Sequence, residues 1–288
     1  MQKADPKQLR QWVEYLAGDI GRRPATRPDL LNKISVRISA ELICLGYEVT
    51  HQPVPSRQTT LTNIIAAAPG SVDRNRPLLV VGAHYDTVSR SPGADDNASG
   101  VAGLLELAGL LGDNPPAGLR LVAFCPEEPP AYRTNKMGSY VYARSLKDAG
   151  TEVGGMICLE MIGYFSDRPK SQSYPLPFMD LVYPDKGNFI AMVGNIGSAL
   201  LTRRVKKVFA GATDLPIESL NAPSIVMGID FSDHWSFNKM GFPALMITDT
   251  AFYRNPHYHQ PSDLPATLDY PKMAKVVDGL AAAVRSLG

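Results

Sequence analysis

The chain has 288 residues, of which 44% are hydrophobic and 20% charged, a balance that supplies a sizeable core and suits a globular fold. Its 29 Lys and Arg against 28 Asp and Glu leave a net charge of +1, with no basic stripe or acidic tail, which argues against nucleic acid as a partner. No run of about 18 apolar residues is present to span a membrane. The opening MQKADPKQLRQWVEYLAG lacks the apolar stretch of a secretory signal, so the expected location is cytoplasmic.

In chain order, Leu9, Trp12, Val13 and Leu16 recur at helical spacing, and so do Leu31, Ile34, Ile38, Leu42 and Leu45 ahead of Gly46, a good helix stop. Two helices therefore open the chain. His51 follows in an expected edge strand and reads as a surface residue. The apolar runs TNIIAAA, LLVVGAH, LRLVAFC, GGMICLEMI, FIAMVGN and PALMITD read as buried strands. Helical patterns lie among them at Val101 to Leu111, Ala199 to Phe209 and Met273 to Leu287.

This alternation predicts an α/β fold, a largely parallel sheet with helices on both faces, whose ligands sit beyond the carboxyl ends of the strands. No linker or repeat divides residues 1–288, so one domain is expected. The Pro- and Ser-rich stretch Tyr164 to Asn188 is expected to be a functional loop near a site. Cys44, Cys125 and Cys158 are too few and too scattered for a disulfide framework or a CxxC zinc site, and read as reduced core residues.

The strand ends carry the chemistry. His84 closes LLVVGAH, and Asp86, two residues on, falls on the same side of an extended chain, where it can hold the ring of a metal-binding histidine. In GADDNASG, Asp95 and Asp96 occupy a tight turn that Asn97 or Ser99 can cap into the next helix. Glu127 and Glu128 follow LRLVAFC just before Pro129 and Pro130, which stop the strand. Glu160 stands within an apolar strand with no Lys or Arg near it in sequence, and a buried carboxylate needs a cation. The loop NPHYHQPSD brings His257 and His259 after another strand.

Histidine and carboxylate without paired cysteine suit zinc, with manganese or cobalt as substitutes. Five ligands that share one carboxylate imply two metals about 3.5 to 4 Å apart.

These residues resemble the co-catalytic zinc aminopeptidase family, which also includes glutaminyl cyclases, glutamate carboxypeptidase II and the transferrin receptor ectodomain. The match runs in order from Leu78 to Leu268: a His and an Asp separated by one residue, GADD, a glutamate pair, a strand carboxylate and a late YH at Tyr258 and His259. The SDH motif matches Ser232, Asp233 and His234. The resemblance implies a three-layer α/β/α sandwich around a mixed, mostly parallel sheet, a peptide substrate and two zinc ions per chain. It further implies that Asp96 bridges the metals, His84 and Glu160 complete one site, Glu128 and His259 complete the other, and Glu127 is the general base. Asp233 and His234 would support the ligands or line the substrate pocket.

Two features depart from the family. Its strand ligand is usually Asp, and Glu160 reaches about 1.5 Å further by one C–C bond. The glutamate pair is followed by PPAYRTNKMGS, so Pro129 to Gly138 is expected to form a longer loop. Glutaminyl cyclisation is the competing enzymatic reading, because cyclases keep a similar ligand order, and a binding module without metals is the non-enzymatic one. A serine hydrolase is a weaker reading still: there is no GxSxG, and contiguous Ser232, Asp233 and His234 cannot align as a triad.

Overall fold

The computed structural model of the chain describes residues 2–56, 59–70, 76–112 and 114–288. Its first half runs α1 (Pro6–Val13), α2 (Pro28–Cys44), β1 (Glu48–Ser56), β2 (Thr59–Ala67), β3 (Leu78–His84), α3 (Gly100–Leu111), β4 (Leu119–Phe124) and α4 (Gly138–Asp148). The second runs β5 (Val153–Leu159), β6 (Ile190–Gly194), α5 (Ala199–Ala212), β7 (Ile217–Asn221), α6 (His234–Lys239), β8 (Ala244–Thr248) and α7 (Tyr270–Leu287). A wider helical turn, Glu14–Ile20, prolongs α1. Asp5 caps α1 by accepting the Lys7 N–H at 2.9 Å, and Pro6 occupies the first turn, where its missing N–H costs nothing.

All eight strands join one sheet in the order β1-β2-β4-β3-β5-β8-β6-β7. The four central strands, β4, β3, β5 and β8, are parallel, as are β6 and β7 at one edge. β1, β2 and β4 pair antiparallel, and so do β6 and β8. The sheet is therefore mixed and mostly parallel, as expected.

A period of two along each strand sorts its side chains into two cores. Leu79, Val81, Leu121, Ala123, Ile157, Leu159, Leu245 and Ile247 join the larger core with α1, α2, α3, α5 and α7. Val80, Val122, Phe124, Met156, Cys158 and Met246 face the other way, into a smaller core with α4 and α6. The chain is thus a three-layer α/β/α sandwich. No helix among the described residues is long and apolar enough to cross a membrane.

Three elements carry no usable signal in the sequence. β7 is an edge strand whose five residues are all half-buried, so its sequence, IESLN, shows no apolar run. The short α6 and the aromatic-rich α4 bury narrow faces; that of α4 is mainly Tyr142, Ala143 and Leu146. One expectation is corrected: Cys125 and Cys158 are buried, but Cys44, the last residue of α2, is exposed. Helical rotation carries it off the stripe on which Ile34, Ile38 and Leu42 are buried.

Gly82, at the centre of β3, lets the Phe124 ring lie across the strand, since a Cβ there would sit 2.3 Å from Phe124 Cε2. Gly82→Ala should lower the unfolding free energy by about 1 to 3 kcal/mol through overpacking, measured by urea denaturation; an unchanged midpoint would show that the ring has room to move.

Candidate metal centre

β3 leads to β4 on one side of it and then to β5 on the other, so the loops beyond their carboxyl ends part there, the usual place for a ligand in such a sheet. His84 ends β3, Glu127 and Glu128 follow β4, and Glu160 is the first residue beyond β5. The loop after β8 brings in His259. His84 Nε2 lies 3.4 Å from Asp96 Oδ1 and 3.2 Å from Glu160 Oε2. On the other side of Asp96, Oδ2 is 3.1 Å from His259 Nε2, which is 3.5 Å from Glu128 Oε1. Two groups of three ligand atoms result, each with its atoms within 4.8 Å of one another, and Asp96 belongs to both.

Other acids hold these in place. The Asp86 carboxylate accepts the backbone N–H groups of Glu127 and Glu128 at 2.9 and 3.1 Å. Its Oδ1 lies 3.5 Å from His84 Nδ1, and its main-chain oxygen lies 3.2 Å from the same nitrogen. Asp263 does for Asp95 and Asp96 what Asp86 does for the glutamates, accepting their N–H groups at 2.8 and 3.2 Å. Asn97 Oδ1 accepts the Gly100 N–H and so caps α3, while its amide donates to Leu159 O. Gly93, at φ 64, is confined to glycine by space as well, because a Cβ would meet Asp96 O at 2.2 Å.

Beneath this turn the fully buried Arg23 guanidinium donates to the carbonyls of Leu16, Tyr85, Pro92 and Gly93. Burial lowers its pKa to about 10, against the pull of Asp263, Asp96, Asp86 and Glu128.

Burial also pushes the Glu127 carboxyl well above its usual range, and Glu128, Asp233 and Glu160 add to it against His84. Glu128 rises to about 7 through burial and the charge of Asp96. Burial disfavours the His259 imidazolium, but Asp96 and Glu128 outweigh it and raise that pKa to about 10. The cluster therefore draws positive charge to itself.

The remaining expected residues separate. His257 is not in the cluster; its Nδ1 meets Ser262 Oγ at 2.9 Å. Asp233 and His234 are fully buried and are not among the residues that line the two cavities at the site. His234 Nε2 lies 2.6 Å from Ile229 O. Neither Asp233 nor Ser232 caps α6 with its side chain; Ser232 Oγ instead donates to Glu160 Oε2 at 2.5 Å. Sequence reasoning missed that brace, together with Arg23 and Asp263. Asp263 lay within the motif already singled out, at its end, whereas nothing around Arg23 marks it.

A cavity of about 620 Å3 opens over Asp96, Glu127, Glu128, Glu160 and His259, walled by Tyr132, Phe231, Phe252 and Tyr258. A second, of about 800 Å3 with its mouth, adjoins it and shares Glu160, Phe231, Phe252 and Tyr258. The irregular stretch 164–188 supplies Gln172, Tyr174, Met179 and Tyr183 to its wall. That stretch therefore forms part of the cavity next to the cluster.

Fold and cluster together are those of a metal-dependent peptidase. The chain belongs to peptidase family M28, which it matches over residues 63–284. It is 47% identical over 286 residues to the uncharacterized protein YfbL of Escherichia coli (strain K12), covering 96% of this chain and 87% of that protein. It is 28% identical over 276 residues to leucine aminopeptidase 1 of Arthroderma otae, covering 89% of this chain and 64% of the relative, less than two thirds of its length.

Among solved structures, the fold is shared with BSAP, a zinc aminopeptidase from Bacillus subtilis, at a TM-score of 0.74 and 16% identity over 98% of this chain and 95% of that one. It is shared as well with the Fimbriiglobus ruber glutaminyl cyclase, at a TM-score of 0.70 and 22% identity over 99% of this chain and 97% of that one.

Because one carboxylate holds both glutamate amides, Asp86→Asn turns an NH2 toward one of them and leaves a buried donor unpaired. The expected loss of stability is about 1 to 3 kcal/mol, read by urea denaturation, and an unaltered midpoint would count against this anchoring.

Proposed function

We propose that the protein is a zinc-dependent aminopeptidase that holds two ions per chain and removes the first residue of peptides. The observation that carries this is Asp96, shared between two groups of histidine and carboxylate ligands. The donor set fits the ions. Glu128 Oε1 is buried without a hydrogen-bond partner, and a buried carboxylate oxygen left so is costly unless a cation takes it up. Nitrogen and oxygen donors without thiolate are the chemistry of a co-catalytic zinc pair.

In this reading His84, Asp96 and Glu160 hold one ion, and Asp96, Glu128 and His259 the other. Two ions held there supply Lewis acidity for the scissile carbonyl and lower the pKa of the attacking water. Glu127 lines the same cavity, and its carboxyl enters no hydrogen bond with another described side chain. It takes a proton from the attacking water and returns it to the leaving amine. Asp86 serves this step by fixing the main chain of Glu127 and by orienting the His84 ring. Similarity to leucine aminopeptidase 1 supports removal of an amino-terminal residue, and similarity to the zinc aminopeptidase from Bacillus subtilis supports the choice of metal.

Dialysis against a chelator should abolish release of amino acids from short peptides, and zinc should restore it. Cyclisation of amino-terminal glutamine without peptide hydrolysis would replace this reading by that of a glutaminyl cyclase. Glu127→Gln should keep both metals, counted by elemental analysis, yet lower kcat by about 10²- to 10⁴-fold. His259→Ala should retain one zinc per chain instead of two; retention of both would remove His259 from the ligand set.

A further inference from the structure

The second cavity carries a specificity that the catalytic cluster does not explain. Its floor is the part of the sheet left bare beyond α6. Glu218 on β7 pairs with Ala191 on β6, and Ala191 pairs with Thr248 on β8. Leu159 pairs with Ile247, and the Glu160 N–H donates to Ile247 O, so Glu160 stands beside Thr248. In-register residues share a face, so Glu160, Thr248, Ala191 and Glu218 form one row across four strands, and all four line the cavity.

Adjacent strands lie about 4.8 Å apart, which puts the Glu218 backbone roughly 14 Å from that of Glu160, and side chains rising from one face keep about that separation. Contact at the two ends takes roughly 3 to 4 Å each and leaves roughly 6 to 8 Å between. A leucine side chain is too short for that gap, whereas an extended arginine, at roughly 6 to 7 Å from Cα to the guanidinium carbon, spans it.

Chemistry along the row agrees with length. Between the two glutamates the floor is small, Thr248 and Ala191, and the walls toward the far end are Tyr174, Tyr183 and Phe189. Apolar walls suit a methylene stem, and the Tyr174 and Tyr183 rings suit a cation at its tip, whereas the buried Phe189 ring already carries the Arg254 guanidinium at 4.5 Å. No Lys, Arg or His of the described residues lines the cavity. Glu218 accepts no hydrogen bond from a described side chain. Its ion-pair partner Lys206 stands 3.7 Å away, with both side chains about one third exposed at 34% and 32%, a weak solvated pairing.

We propose that this cavity receives the side chain of the substrate's first residue and selects lysine or arginine, with Glu218 as the counter-charge. The proposal rests on the aminopeptidase reading and adds a substrate class to it.

A panel of aminoacyl-coumarin amides with the zinc-loaded enzyme tests it. Arginine and lysine should exceed leucine and phenylalanine in kcat/KM. Glu218→Gln should lower the ratio of arginine to leucine kcat/KM by about 2- to 5-fold, the worth of an ion pair to a carboxylate that keeps part of its solvent. Ala191→Leu, which fills the floor midway, should lower the ratio of arginine to alanine in the same direction. Preference for leucine or phenylalanine in the unaltered enzyme, or a ratio that Glu218→Gln leaves unmoved, would overturn the proposal.

Calorimetry with free L-arginine and L-norleucine separates it from the catalytic reading. Tighter binding of arginine, lost in Glu218→Gln, supports the pocket even if no aminoacyl amide is cleaved; equal binding of the two overturns it even if leucine amides are cleaved well.

Discussion

Crowding carboxylates in a dry place is the constraint on which this structure depends. Asp86, Asp95, Asp96, Glu127, Glu128 and Glu160 are all buried around one end of the sheet, and burial by itself disfavours the ionised form of Asp95, Asp96 and the three glutamates. The fold answers with a division of labour between acids. Asp86 and Asp263 spend their oxygens on backbone N–H groups, which are abundant wherever a strand ends and a helix has not yet begun. Charge-assisted bonds of that kind are strong and directional. Those two therefore act as fixtures, and the segments they hold present Asp96, Glu127 and Glu128 to the cavity.

The same constraint explains Arg23. A guanidinium buried completely is costly, and its donors go to main-chain carbonyls of the loops around the site rather than to a carboxylate. It ties Leu16, Tyr85, Pro92 and Gly93 together while its charge lies beneath the acids. Loop geometry and electrostatic compensation thus come from one side chain.

These roles differ in how far they could be read from the residues alone. His84, Glu127, Glu128 and Glu160 were legible because each follows or ends an apolar run, where an ionisable group has no ordinary structural reason to stand; Asp96, in a turn ahead of a helix where Asp is ordinary, stood out only through the GADD motif of the family the chain resembles. The central strands were legible from the same apolar runs, since strands buried on both faces need continuous apolar sequence. Arg23, Asp263 and Ser232 were not, because their significance lies in partners about 60 to 170 positions away, and no local pattern encodes such a contact. β7 escaped because an edge strand with one face on a cavity has little to bury.

Glu160 is where these threads meet. Its extra methylene adds a rotatable bond, and the freedom of that bond must be removed if the carboxylate is to hold a fixed position. Ser232 Oγ removes it, donating to the oxygen that also faces His84. The brace comes from the segment just before α6, and α6 is the last helix covering that face of the sheet before it becomes cavity floor. Glu160 consequently borders both cavities. The residue that departs from the family pattern thus stands at the boundary between the metal cluster and the pocket beside it, so its length bears on both where a metal would sit and where that pocket begins.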